Sequence, residues 1–403
     1  MQNGVIAEAW EKQIDGSRKL LHLKGTYYSV QEINELAKQQ SPLFCPVIGD
    51  FFLAQGNALD IIVALVAGLH KRLPVQLVEK DRERRVSHQK LPQGTFLIKQ
   101  TVGASGVRRC QFFTQEQLYA DVSLIHRLYH HKKVTAVLQA ISPAHSYGLT
   151  VTVMQAICYG LMIYSVDSPL PNEIEDLLES QENWLLPSVP AIWKAWGYSQ
   201  LNFKKVAMAL SAGSPLSLAL EQQYMSLWGL KLHNLYGTSE TGVIAFDEGD
   251  HLRDKEDYLG KVVEGVEVRI HQGRLWVKSP ATALGYDEIH AEELLGDNEH
   301  LTWDAVEISK DQSLYWRKCL GAGINVAGRK LSPMEIAEKI QTVTGVKSVK
   351  VSAKQARDLE RVEDIVVEIE GVEITQEFKV QSTLYLAPWE VPRVWVQKDK
   401  TIQ

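Results

Sequence analysis

Between residues 58 and 69 the apolar positions are Leu59, Ile62, Val63, Leu65, Val66 and Leu69, the three- and four-residue spacing of an amphipathic helix. Pro46-Val47-Ile48-Gly49 before it and residues 73–78 after it read as strands. Strand, helix and strand so joined predict a parallel pair with a right-handed crossover. Upstream, Ser29 with Glu32 three residues on forms a capping box that opens another helix. The alternation continues through 115–128, 135–141, 149–159 and 162–165. From about residue 258 the period changes to two. Residues 266–270 and Arg274-Leu275-Trp276-Val277-Lys278 predict antiparallel strands joined at Gln272-Gly273. Ser332 followed by Pro333 then marks a helix start, with strands expected over 346–352 and 365–369. The expected class is α/β. A large N-terminal domain (1–317) of mostly parallel sheets flanked by helices carries a small β-rich subdomain near 258–316. A small α+β C-terminal domain (318–403) follows a hinge at 317–323.

Size and composition support this division. The 403 residues exceed what one hydrophobic core normally organises. A net charge of −6 argues against a general nucleic-acid binder, which needs a basic surface. Cys45, Cys110, Cys158 and Cys319 are scattered without a C-x-x-C pair, which fits a reducing, cytoplasmic setting. Residues 147–166 are largely apolar, but Thr150, Thr152, Gln155, Gly160 and Ser165 interrupt them; a helix, a turn and a buried strand are expected, and no membrane span. The charged run at 79–90 reads as a solvated loop.

Two segments carry candidate chemistry. Leu235-Tyr236-Gly237-Thr238-Ser239-Glu240-Thr241-Gly242 joins a glycine turn, hydroxyls and a carboxylate after a short strand. Hydroxyls on a turn can donate to phosphate, and Glu240 offers the hard oxygen that magnesium requires. Thr101-Val102-Gly103-Ala104-Ser105-Gly106-Val107-Arg108-Arg109 reads as a second phosphate element. Gly103 and Gly106 allow an anion nest, Thr101 and Ser105 add hydroxyls, and Arg108 and Arg109 add positive charge. Taken alone, this loop also fits an ordinary polar surface turn.

In order along the chain these segments resemble the adenylate-forming superfamily: acyl- and aryl-CoA synthetases and the adenylation domains that load carrier proteins. The family reads T-S-G-S-T-G-x-P-K at the first loop and Y-G-x-T-E at the second. Ser142-Pro143-Ala144-His145-Ser146-Tyr147-Gly148, Leu210-Ser211-Ala212-Gly213-Ser214-Pro215, Thr302-Trp303-Asp304 and Val326-Ala327-Gly328-Arg329-Lys330-Leu331-Ser332-Pro333-Met334-Glu335-Ile336 match its further motifs in sequence. The resemblance implies ATP-dependent activation of a small carboxylic acid, with Mg2+, and transfer to a thiol of CoA or of a phosphopantetheinyl carrier protein. It implies nucleotide contacts from Thr101, Gly103, Ser105, Gly106, Asn234, Tyr236, Gly237 and Thr238. Ser239 is expected at the α-phosphate, Glu240 at the metal and Arg109 as a catalytic cation. Asp304 and Arg317 are expected at the ribose. His145, Tyr147, Ala212 and Gly213 are expected to line the acid pocket, and a mobile C-terminal domain to bring the Gly328-Arg329 loop to the site. The chain departs from the family at Val102, Ala104, Arg108, Trp303 and Cys319. Leu386-Ala387-Pro388-Trp389-Glu390-Val391-Pro392-Arg393 resembles the family's L-P-x-Y-x-V-P-R, and the C-terminal domain is expected to be short of the adenylation-lysine motif, with Lys398 and Lys400 outside any such motif. A non-catalytic homologue that binds nucleotide or adenylate as a sensor is the alternative.

Overall fold

The computed structural model describes residues 4–14, 17–80, 84–85, 90–102, 108–199, 201–288, 293–321, 323–358 and 360–398. Two sheets dominate. The larger has eleven strands, and its parallel heart runs Lys19–Leu23, Met162–Ser165, Ala136–Gln139, Trp184–Ser188, Val206–Ser211 and Leu232–Thr238. The second has six strands, with Gly49–Gln55, Val75–Val78 and Leu97–Val102 parallel to one another. The predicted alternation of strands and helices is therefore present, and the chain is α/β with a smaller C-terminal unit.

Local chemistry explains most boundaries. Ser29 accepts from the Glu32 amide while Glu32 accepts from the Ser29 amide, so the expected capping box starts the helix Val30–Gln39. The helix Ala58–Lys71 forms as its spacing predicts, yet nearly all of its faces are buried, so it is a core helix and not an amphipathic surface one. Residues 46–48 are a turn between Leu43–Cys45 and Gly49–Gln55 and not the expected strand; Pro46 cannot donate a ladder bond there. Gln272 and Gly273 both have positive φ, 51° and 72°, which lets a two-residue turn join Glu267–His271 to Arg274–Lys278. The strand Tyr258–Val262 does not join that small sheet. It pairs with Gly242–Phe246 and Ser313–Cys319, extending the large sheet instead.

After residue 320 a separate core forms from Ile336, Ile340, Ile365, Val367, Ile369 and Phe378. Ser332 caps the helix Pro333–Gln341 by accepting from the Glu335 amide at 3.1 Å. This unit sits against the rest through Lys194 with Asp358 and Glu360, Ser217 with Glu360, and Arg108 with Glu335.

The strand Leu232–Thr238, which leads to the site, is anchored by buried charge. Glu221 is fully buried and meets Lys231 and Arg253; Lys231 also meets Asp247 at 2.7 Å. Removing one member strands the others without compensation. Glu221→Ala is expected to cost about 3–5 kcal/mol in denaturant unfolding. A loss under about 1 kcal/mol would show that this cluster does not hold the strand.

Candidate active site

One cavity of about 210 Å3 collects most of the residues singled out from the sequence. One wall is a hairpin in which Leu97–Val102 pairs with Arg108–Phe113, Thr101 standing opposite Arg109. Thr101 lines the cavity. The connecting residues, including the expected Gly103, Ser105 and Gly106, lie outside the described residues. The facing wall comes from the large sheet, where Leu232–Thr238 turns back into Gly242–Phe246. The Thr238 hydroxyl accepts from the Thr241 amide at 3.3 Å and sets the turn that presents Gly237, Thr238, Ser239 and Glu240.

Glu240 binds the two walls together. Its Oε1 accepts from Gln111 Nε2 at 2.8 Å and from the Tyr286 hydroxyl at 2.8 Å, both belonging to the six-stranded sheet. Burial pushes its pKa up, but the His300 imidazole and the Tyr286 and Thr238 hydroxyls outweigh it and hold the carboxyl below its ordinary range. A buried carboxylate kept ionised and facing a cavity suits a hard cation. Among the described residues no group of three His, Cys, Asp or Glu could hold a metal. A magnesium ion here would therefore take one protein carboxylate and complete its shell from phosphate and water, its usual habit at nucleotide sites.

Asp304 reaches the cavity from the strand Asp304–Ile308 and accepts from the Tyr236 hydroxyl at 2.7 Å. Burial, then the Asp304 carboxylate, push the Tyr236 phenol well above its ordinary pKa, so it stays a donor. Trp303, where the family has glycine, also lines the cavity, with the Arg274 guanidinium 3.9 Å over its ring. His145, Tyr147, Ala212 and Gly213 form a further side, and Tyr147 donates to the Leu210 carbonyl at 3.3 Å. Gly213 and Gly328 meet back to back, with φ of +87° and +88°; a Cβ on Gly213 would stand 3.7 Å from the Gly328 Cα. The positive φ favours glycine at both positions, and Gly328, Arg329 and Lys330 of the C-terminal unit face the cavity.

Residues 62–287, more than half of the chain, match the AMP-binding enzyme family. The chain belongs to that family. A solved structure of o-succinylbenzoate CoA synthetase from Bacillus subtilis superposes with a TM-score of 0.83 at 13% identity, covering 99% of this chain and 95% of that one. That likeness establishes the adenylate-forming fold. The long-chain-fatty-acid–CoA ligase of Yersinia pestis is 20% identical over 330 residues, 76% of this chain and 58% of that protein. A medium/long-chain-fatty-acid–[acyl-carrier-protein] ligase of Mycobacterium tuberculosis is 26% identical over 158 residues, 34% of this chain and 29% of that protein. The chain thus covers less than two thirds of the length of these curated relatives.

Four expected site residues of this AMP-binding enzyme do not line the cavity, Tyr236 among them although its hydroxyl reaches Asp304. Arg109 is 1% exposed and does not line the cavity; it stacks 3.8 Å over the Tyr286 ring and is held by both oxygens of Glu293. Thr101 opposite Arg109 shows why: the return strand begins at Arg108, so Arg109 is a sheet residue and not part of a loop. Asn234 spends its amide on the Leu259 carbonyl at 2.9 Å, tying two strands. Arg317 is half exposed and ion-paired with Asp257 and Glu307.

Other cavity residues carry no mark of that role in the sequence. Lys99, Asp121, Tyr286, His300 and Lys330 all line the cavity. Lys330 was visible inside a motif, but nothing marked its ammonium as inward. Its Nζ approaches Cys319 Sγ at 3.5 Å; burial works against its charge, but Cys319 and Asp304 outweigh it and raise its pKa. Lys99 is 5% exposed, and burial lowers its pKa to about 8 despite the nearby Asp121 and Glu240 carboxylates. A lysine with a depressed folded pKa destabilises the fold while charged, below about pH 8, and the cost fades as pH rises toward the ordinary 10.5. The stability difference between Lys99→Met and the natural protein should therefore move in the variant's favour by on the order of 3 kcal/mol from pH 10.5 down to pH 7. Unfolding curves at the two pH values check this, and a pH-independent difference would contradict it.

Proposed function

We propose that this AMP-binding enzyme couples a small carboxylic acid to AMP at the expense of ATP, then hands the acyl group to a thiol of CoA or of a phosphopantetheinyl carrier protein. What carries the reading is the convergence of Thr101, Ser239, Glu240 and Asp304 with His145, Tyr147, Ala212 and Gly213 around one cavity. The names of the Yersinia and Mycobacterium relatives support the choice of an acid–thiol ligase and the two acceptors. The unit 1–317 would carry the nucleotide and acid sites, and 318–403 would supply the Gly328 loop. Among the described residues no helix is long and apolar enough to cross a membrane, and the four cysteines are unpaired; a cytoplasmic enzyme accords with both.

A carboxylate is a poor acyl donor because it would have to expel oxide. Attack of a carboxylate oxygen on the α-phosphorus expels pyrophosphate and leaves a mixed anhydride whose leaving group is AMP. A thiol sulfur then attacks the acyl carbon, loses its proton, and AMP departs. Both steps depend on stabilising negative charge on phosphate oxygens, which donors fixed in advance do best. Ser239 would donate to the α-phosphate, and Asp304 would accept from the ribose hydroxyls. Glu240 would hold Mg2+, which neutralises charge on the phosphates when bound. The cationic role expected of Arg109 passes, in this reading, to Lys330, which is charged and faces the same cavity.

Acid-dependent exchange of labelled pyrophosphate into ATP tests the proposal, with a panel of aryl, short and long acids. Exchange with at least one acid is expected, and Glu240→Gln or Lys330→Met should lower it by roughly 100-fold. Arg109→Met should instead lower stability, since it removes the guanidinium that meets both oxygens of the buried Glu293 carboxylate. No exchange with any acid, or an unaffected Glu240→Gln variant, would refute the assignment.

A further inference from the structure

The inner wall of the cavity carries polar groups that the chemistry above does not use. Lys99, Asp121, Ile125, Thr150 and Val243 line it, and each is at most 6% exposed. The mouth is different: Gly213 and Gly237 are exposed there and Gly328 is half-buried. Lys99 and Asp121 therefore lie at the deep end.

Neither charge is neutralised by a close partner. The Lys99 ammonium makes no hydrogen bond or ion pair among the described residues, and its close contact is the Phe113 ring at 4.2 Å. Asp121 Oδ1 accepts from the Val243 amide at 2.9 Å, which leaves the rest of the carboxylate to the cavity and Thr150. Burial raises the Asp121 pKa while Lys99 opposes that rise, so the two groups sense one another without closing into a pair. An open pair of buried charges destabilises a protein. An apolar Met–Val wall would serve a hydrocarbon tail better and cost less.

We infer that Lys99 and Asp121 recognise a distal hydroxyl on the acid substrate, so that the preferred acid is an aryl or short-chain hydroxy acid and not a plain hydrocarbon acid. This rests on the proposed function for the placement of the reacting carboxylate. A hydroxyl oxygen accepts from Lys99 while its proton is donated to Asp121. A second carboxylate on the substrate would be repelled by Asp121, and an amine by Lys99. Ile125, Val243, Tyr147 and Ala212 supply the apolar walls along which the body of the acid would lie. Sites built to hydrogen-bond a hydroxyl reject the analogue lacking it far more strongly than apolar pockets reject an extra methylene.

Calorimetric titration of matched acids, with and without a distal hydroxyl, tests this in the presence of a non-hydrolysable ATP analogue. The pairs are 4-hydroxyphenyl against phenyl acids and ω-hydroxy against plain short-chain acids. The natural protein should bind the hydroxylated member of at least one pair at least about 10-fold more tightly. Lys99→Met should erase that preference while leaving the affinity for the ATP analogue unchanged. Asp121→Asn, which keeps an acceptor for the Val243 amide, should weaken it. Equal or tighter binding of the plain acids overturns the inference, as does binding of no acid at all. A loss of ATP-analogue affinity in Lys99→Met with the acid preference intact would also overturn it, making Lys99 a phosphate contact. Because the readout is binding, hydroxy acids that bind without supporting pyrophosphate exchange would count against the ligase reading alone.

Discussion

The site depends on one buried carboxylate shared between two sheets. Glu240 leaves the eleven-stranded sheet at a tight turn and accepts two hydrogen bonds from Gln111 and Tyr286, which belong to the six-stranded sheet. The paired strands Leu97–Val102 and Arg108–Phe113 and the Thr238–Glu240 turn are more than a hundred residues apart in sequence. These bonds fix their separation and hold the cavity open between them. The His300 imidazole, with the Tyr286 hydroxyl, keeps the carboxylate ionised despite burial, which the proposed metal role requires. Structural and chemical demands thus fall on the same atoms.

Much of the architecture was legible because local signals agreed with the global one. The Ser29–Glu32 capping box, the Gln272-Gly273 turn and the Ser332-Pro333 helix start each act through backbone chemistry within four residues. What the sequence hid was partnership at long range. Nothing around Arg109 announces that Glu293 waits for it, or that Asn234 will turn to the Leu259 carbonyl. Period-two patterning around 258–278 correctly predicted strands, but it is silent on which sheet each strand joins, and Tyr258–Val262 joined the large one. The cavity-facing hydroxyls and Glu240 could be named in advance because the motif places them on a turn, where side-chain direction follows from a few dihedrals. Lys99 sits in a regular strand and gave no such signal.

The buried charges divide into two kinds. Glu221, Lys231, Arg253 and Asp247 close on one another, as do Arg109 and Glu293, and these pairings brace the scaffold. Lys99, Asp121, Glu240 and Lys330 face the cavity instead, and Lys99 and Asp121 remain only partly compensated. Incomplete compensation costs folding stability, and natural proteins tolerate that cost where activity draws on it. The division separates scaffold from site without reference to motifs. In the proposed reading it also moves the cation expected at position 109 to Lys330, on the C-terminal unit.

The most direct measurement is a crystal structure of the chain with a non-hydrolysable acyl-adenylate analogue and Mg2+. The phosphate mimic is expected at Thr238 and Ser239, the ribose at Asp304, and the acyl group running past Tyr147 toward Lys99 and Asp121. An analogue bound outside this cavity, or bound with its acyl group directed away from Tyr147, would contradict this placement.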